Sequence, residues 1–273
     1  MLKWRVLTAL VLAPLLLAAI WFLPNGGIAL LFGAATLLGA VEWARLIGFV
    51  GRGEQMAFVG GLALLMIAGW LGLSALPVTA IFLLATLLWC GVLVWLLRFN
   101  QRPDLPVPPR MIEAAIAYLV LWLAWLAFVV IHALASGPYF VTLLLFAVWG
   151  ADIGAFFAGR AFGRRKLAVN ISPNKTWEGM LGGLLLAVVA CMLLHLAVGP
   201  GWPPLHTLLL LIVATVLISV AGDLFESMIK RQHGAKDSGT LLPGHGGILD
   251  RIDSLTAAGP IFVMGLLWWR MTP

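Results

Sequence analysis

Residues 205–230 read LHTLLLLIVATVLISVAGDLFESMIK, and this stretch decides the architecture. From Leu205 to Gly222 it carries no Asp, Glu, Lys or Arg. An apolar run of roughly 20 residues is the length that crosses a hydrocarbon core as a helix. The run then ends on Asp223, Glu226, Ser227 and Lys230. At spacings i, i+3, i+4 and i+7 these four share one helical face. One segment therefore announces both a lipid-spanning helix and a polar cluster at its end.

The rest of the chain repeats the pattern. Apolar runs occupy about 6–23, 27–49, 56–74, 78–97, 111–135, 139–159, 178–199, 205–229 and 250–270. A helix is the open element that satisfies its own backbone in lipid. The expected fold is thus an all-α polytopic membrane protein with about nine transmembrane helices. Composition agrees: 62% of the 273 residues are hydrophobic and 10% are charged, against about half and one quarter in soluble domains. Mean hydropathy is +1.05.

Charge placement sets an expected topology. With the N-terminus in the cytoplasm and strict alternation, 16 of the 17 basic residues fall on the cytoplasmic side, Arg270 being the exception. The positive-inside rule therefore predicts N-in, C-out. Lys3 and Arg5 ahead of an apolar run imitate a signal peptide, but Leu23-Pro24-Asn25-Gly26 is no small-x-small cleavage site, so an uncleaved first span is expected. Cys90 and Cys191 each fall inside a span and read as packing residues. The basic pI of about 9.9 fits topology and anionic membrane lipids. No basic soluble domain exists to carry nucleic acid.

Three regions are expected: hairpins over 1–97, a Pro-rich linker over 98–110 whose four prolines forbid a continuous helix, and a chemistry-bearing region over 111–273. Eight of the eleven acidic residues lie beyond position 110. Two polar segments, 160–178 and 230–250, belong to the same cytoplasmic side.

The chemistry concentrates there. Asp250-Arg251-Ile252-Asp253 opens the last span, with Asp250 and Asp253 on one face. If this helix end meets the end of 205–230, Asp223, Glu226, Asp250 and Asp253 converge, and carboxylates that close need cations among them. Oxygen ligands without imidazole or thiolate favour a hard ion such as magnesium. The bland alternative is a salt-bridge network with Lys230, Arg231, Lys236 and Arg251. Between the two ends lie Arg231, Lys236, Asp237, His245, Gly246 and Gly247. Cations beside glycines suit a polyphosphate, because backbone N–H groups can approach its oxygens. There is no Walker A pattern, and glycine clusters or a lone loop histidine more often mean a turn. Asp152, flanked by Gly150 and Gly154, is a carboxylate at membrane depth and a functional candidate by that placement. The two glycines read better as a helix-packing face. Lys175, between Pro173 and a helix start, is the basic loop residue best placed to touch substrate.

Residues 227–253 resemble the signature of the phosphatidate cytidylyltransferase family, carried here by Ser227, Lys230, Arg231, Lys236, Asp237, His245, Gly246, Gly247, Asp250, Arg251 and Asp253. Ser172-Pro-Asn-Lys-Thr-Trp-Glu-Gly179 is similar to a second family motif, with Asn174 in place of a frequent lysine. The resemblance implies an enzyme joining CTP to phosphatidate to give CDP-diacylglycerol and pyrophosphate. It further implies magnesium ligated by Asp223 and Asp250, with a second cation as an option. Lys175, Lys230, Arg231 and Lys236 would hold the triphosphate or the lipid phosphate, and His245 would either donate to the developing pyrophosphate or order the loop. The expected setting is a bacterial-type inner membrane with the site facing the cytoplasm, and the glycine-rich helices permit a homodimer. The competing readings are a transporter or flippase with an intramembrane carboxylate relay, and a CTP-dependent lipid kinase.

Overall fold

The computed structural model describes residues 2–199, 203–239 and 246–271, with side chains over 11–199, 203–239 and 246–269. In chain order the elements are α1 (Leu2–Phe22), α2 (Asn25–Leu46), α3 (Arg52–Leu71), α4 (Val78–Gln101), α5 (Arg110–His132), α6 (Gly137–Phe162), β1 (Lys166–Ala168), β2 (Ser172–Thr176), α7 (Trp177–Val198), α8 (Leu205–Gln232) and α9 (Leu249–Met271). Among the described residues, eight helices, α2 to α9, are long and apolar enough to cross a membrane; α1 contributes the shorter apolar segment Val11–Phe22. The chain is thus an integral membrane protein built almost wholly of helices.

The breaks fall where backbone chemistry demands them. Pro24, Pro77 and Pro109 each sit immediately before a helix start, where a missing N–H and a fixed φ cost nothing. The short hairpin β1–β2, antiparallel with Lys166 facing Thr176 and Ala168 facing Ser172, is the exception to the expected all-helical chain.

The described chain forms two compact units. The first joins residues 1–76, 108–142 and 232–252. In it α2, α3 and α5 pack on one another. Lipid tails are as apolar as leucine, so helices associate through close packing and hydrogen bonds rather than burial from water. Both devices are present. Phe32 and Phe128 stack with centroids 3.9 Å apart. The Trp125 indole N–H donates to Ala29 O at 2.9 Å, and the Tyr118 hydroxyl donates to Phe58 O at 2.6 Å. Gly61 makes room for Tyr118 and Gly69 for the Trp122 ring.

The second unit joins residues 77–107, 143–231 and 253–273. Here α6 and α7 touch backbone to backbone. A Cβ at Gly150 would lie 2.9 Å from Ala187 Cα, and one at Gly154 would lie 2.6 Å from Gly182 O. The packing role expected for these two glycines holds. Helices α8 and α9 also meet closely, since a Cβ at Gly222 would come within 2.6 Å of Asp253 O. The fully buried Trp89 and Phe225 rings meet edge-on at 5.8 Å.

Candidate active site

The second unit builds a cavity of about 260 Å³ at the end of α6, α7 and α8. Its mounting begins with the hairpin. Thr176 is the N-cap of α7, its hydroxyl oxygen accepting Gly179 N–H at 3.1 Å. The Glu178 carboxylate accepts the backbone N–H of Arg164 at 3.1 Å and of Arg165 at 3.2 Å. Trp177 N–H closes onto Arg165 O at 2.9 Å. At the hairpin turn, Asn170 Nδ2 donates to Asn100 O at 2.8 Å and Asn170 N–H to Asn100 Oδ1 at 3.1 Å. Arg231 Nε reaches Ile171 O at 3.3 Å. The strand carrying Lys175 is therefore tied to the ends of α4, α7 and α8.

From that mount Lys175 Nζ meets Asp223 Oδ2 on α8 at 2.5 Å. The two side chains keep 23% and 30% of their exposure, so water and ligands can reach the pair. Asp152 from α6 and Asn174 from β2 line the same cavity. Apart from Thr176 and Ser254 the remaining wall is apolar, including Phe156, Met180, Val216 and Val220. The cavity thus pairs a charged end with a greasy side.

Along α8 the predicted polar face is realised as two i, i+4 pairs. Ser227 Oγ donates to Asp223 Oδ1 at 3.4 Å, and Lys230 Nζ meets Glu226 Oε2 at 2.6 Å. Lys230 and Glu226 are buried, at 9% and 3% exposure. Part of the bland salt-bridge reading is thereby correct: Lys230 compensates Glu226 within the helix. Asp253 is half-buried, its backbone against Gly222, the neighbour of Asp223.

The first unit holds the other part of the signature. The half-buried Asp250 carboxylate accepts Gly247 N–H at 2.8 Å and Ser238 N–H at 3.3 Å. Gly246 has φ +80°, the left-handed region that glycine enters without penalty. Gly247 lies so close to Glu42 and Ser238 that a side chain would strike both. The two glycines expected at phosphates thus have steric reasons of their own. Lys236, Asp237 and Arg251 are exposed. His245 lies outside the described residues.

The sequence assigns no role to one further participant. Glu42 on α2 is 3% exposed and accepts Ser238 Oγ–H at 3.0 Å, Ile248 N–H at 3.0 Å and Leu249 N–H at 2.8 Å. Its only sequence signal is a carboxylate near the end of an apolar span.

A resident magnesium can be tested against these residues. Among the described residues no group of three or more His, Cys, Asp or Glu side chains gathers into a metal cage. Magnesium rarely needs one, being held by one or two carboxylates together with substrate phosphates and water. Asp223 already holds a cation, the Lys175 ammonium, at contact distance. The donors are carboxylate oxygens throughout, so the residues fit a hard divalent ion.

Known proteins bear directly on this arrangement. The chain is similar to a protein named phosphatidate cytidylyltransferase from Pseudomonas aeruginosa, 45% identical over 272 residues that cover 98% of this chain and 97% of that one. A protein of the same name from Haemophilus influenzae is 38% identical over 284 residues, covering 96% of this chain and 97% of its own. Another, from Brucella suis, is 38% identical over 250 residues, covering 84% and 90%. The model of the cytidylyltransferase family matches residues 3–268. Lys175, Asp223 and Asp250 all fall inside that match, and the chain belongs to the cytidylyltransferase family.

Proposed function

We propose that this enzyme is a phosphatidate cytidylyltransferase, joining CTP and phosphatidate into CDP-diacylglycerol and pyrophosphate. The observation that carries the reading is the Lys175–Asp223 pair at the charged end of an apolar-walled cavity among membrane helices. A lipid with a phosphate head matches that cavity in both its parts, and the full-length relatives bear the name of this reaction.

The phosphate of phosphatidate is already an anionic nucleophile, so no strong base is required. One of its oxygens bonds to the α-phosphorus of CTP, the bond from that phosphorus to the β-bridging oxygen breaks, and pyrophosphate leaves with the electron pair. No proton has to move. Catalysis is then positioning and charge neutralisation. Lys175 turns from Asp223 to the arriving phosphate, fixed in place by the hairpin. Lys230 stays with Glu226, while the exposed Arg231 and Lys236 are available to the triphosphate, and His245 is the candidate donor to the leaving pyrophosphate. Asp223 and Asp250 would hold magnesium, which when bound offsets phosphate charge and eases departure of pyrophosphate. The positive-inside pattern of the loops supports a site that faces the cytoplasm of a bacterial-type inner membrane, where CTP is supplied.

The test is turnover of the purified protein in detergent–phosphatidate micelles with labelled CTP, with and without magnesium. CDP-diacylglycerol and pyrophosphate should form in equal amounts and only with a divalent ion. Release of CDP together with a phosphorylated lipid would make it a lipid kinase. A well-folded sample that consumes no CTP under any divalent ion would end the proposal.

A further inference from the structure

Glu42 sits on α2, distant in sequence from the signature, near the end of an apolar helix. It is nearly inaccessible, and a buried carboxylate is costly unless its oxygens are satisfied. Here they are, and all from one segment. Oε2 accepts Ser238 Oγ–H at 3.0 Å and Leu249 N–H at 2.8 Å, while Oε1 accepts Ile248 N–H at 3.0 Å. Added Cβ atoms on Gly239 and Gly247 would both strike this carboxylate, so the backbone lies directly on it from two directions. Among the described residues its partners are neutral donors, and two of them are N–H groups at the start of α9. An anion there is favoured by the helix dipole as well as by the hydrogen bonds.

The grip of Glu42 extends to a signature carboxylate. Leu249 precedes Asp250, and Ser238, bound to Glu42 through its hydroxyl, donates its backbone N–H to the Asp250 carboxylate. Glu42 thus holds both 238–239 and 247–249, the stretches flanking residues 240–245, and it sets the backbone on which Asp250 stands. We infer that Glu42 is a positioning residue of the nucleotidyl transfer, holding the signature segment on α2 so that Asp250 is presented in a fixed orientation. The inference rests on the cytidylyltransferase reading for the identity of the reaction, and on the geometry alone for the gripping role. A carboxylate is the side chain for the task, since three donors converge on it. Glutamine would turn one acceptor into a donor pointed at an N–H or O–H.

The experiment compares Glu42→Gln, Ser238→Ala and the double variant in three measurements: steady-state kinetics, melting in detergent, and the rate of trypsin cleavage after the exposed Lys236. Loss of an outer partner that orients a ligand residue typically costs about 10–100-fold in activity. Glu42→Gln is expected to lose that much, mainly in kcat, and to be cut faster after Lys236 while the rest of the chain stays intact. Ser238→Ala is expected to show a smaller loss of the same kind. The double variant should be no worse than Glu42→Gln, because both act through one segment. Wild-type kcat per folded molecule with wild-type cleavage in Glu42→Gln overturns the inference. If Glu42→Gln does not fold, Ser238→Ala decides: a normal kcat and normal cleavage there reduce Glu42 to a folding residue and overturn it equally. If the wild-type protein makes no CDP-diacylglycerol, the functional reading fails, while the cleavage rates still report whether Glu42 holds the segment.

Discussion

Replacing Lys175 by methionine keeps the length of the side chain and removes its charge. In the resting protein the ammonium and the Asp223 carboxylate stand 2.5 Å apart. At an effective dielectric of about 20 their bare attraction is about 7 kcal/mol. Both side chains retain roughly a quarter of their exposure, so desolvation and water offset most of that. The net worth is about 1–3 kcal/mol, that of a charge-assisted hydrogen bond. At about 2–4 °C per kcal/mol, melting in detergent should fall by about 2–12 °C. The transition state is another matter. Losing a preorganised donor to developing oxyanion charge costs about 3–4 kcal/mol, or about 10²–10³ in rate. Lys175→Met should therefore lose about two to three orders of magnitude in kcat/KM while remaining folded. Lys175→Arg should recover only part of the loss, because a planar fork does not reproduce a compact ammonium. Turnover of labelled CTP in phosphatidate micelles, beside a melting curve, measures both quantities. A value of kcat/KM within about threefold of wild type would refute the assignment of Lys175 to the reacting phosphates.

The same geometry sets two more outcomes. Asp223→Asn should leave less than about 1% of turnover in a folded protein whose melt falls about as far as that of Lys175→Met, since Asn keeps the shape and the Ser227 contact but loses the same ion pair and cannot balance a cation; substantial turnover in this variant would remove Asp223 from the site. Gly154→Val should force α6 from α7, because even a Cβ there meets Gly182 O at 2.6 Å. Overpacking of this kind costs about 1–3 kcal/mol, or about 2–4 °C of melting temperature per kcal/mol, whereas Gly60→Val, with open space around it, should melt as the wild type does.

Much of the architecture is legible in the sequence because lipid imposes few solutions. The expected span 205–229 is α8, which runs one turn further to Gln232, and 111–135 is α5, which ends at His132. These differences are helix ends, which apolar counting does not resolve. The hairpin at 166–176 escapes such counting for a physical reason. Its strands are three and five residues long, too short to show alternation. It also contains Pro173, which argues against a strand unless every strand is an edge, as both are in a two-stranded ribbon. The site is legible where it is local. The face shared by Asp223, Glu226, Ser227 and Lys230 is fixed by helical spacing at one end of α8. Glu42 is not legible in this way, because its partners Ser238 and Leu249 lie 196 and 207 positions away, and no periodicity connects them.

That separation also bears on how the protein is made. The first compact unit draws on residues 1–76, 108–142 and 232–252, so its earliest helices leave the ribosome long before their last partners. At about 5–20 residues per second, Glu42 waits on the order of 10–40 s for Ser238 and Leu249 to be synthesised. During that interval a membrane-inserted carboxylate lacks the donors that later enclose it. Chains that stall before residue 250 hold a helix with an unsatisfied acid at its end. Only when the C-terminal signature docks are both oxygens of that acid taken up.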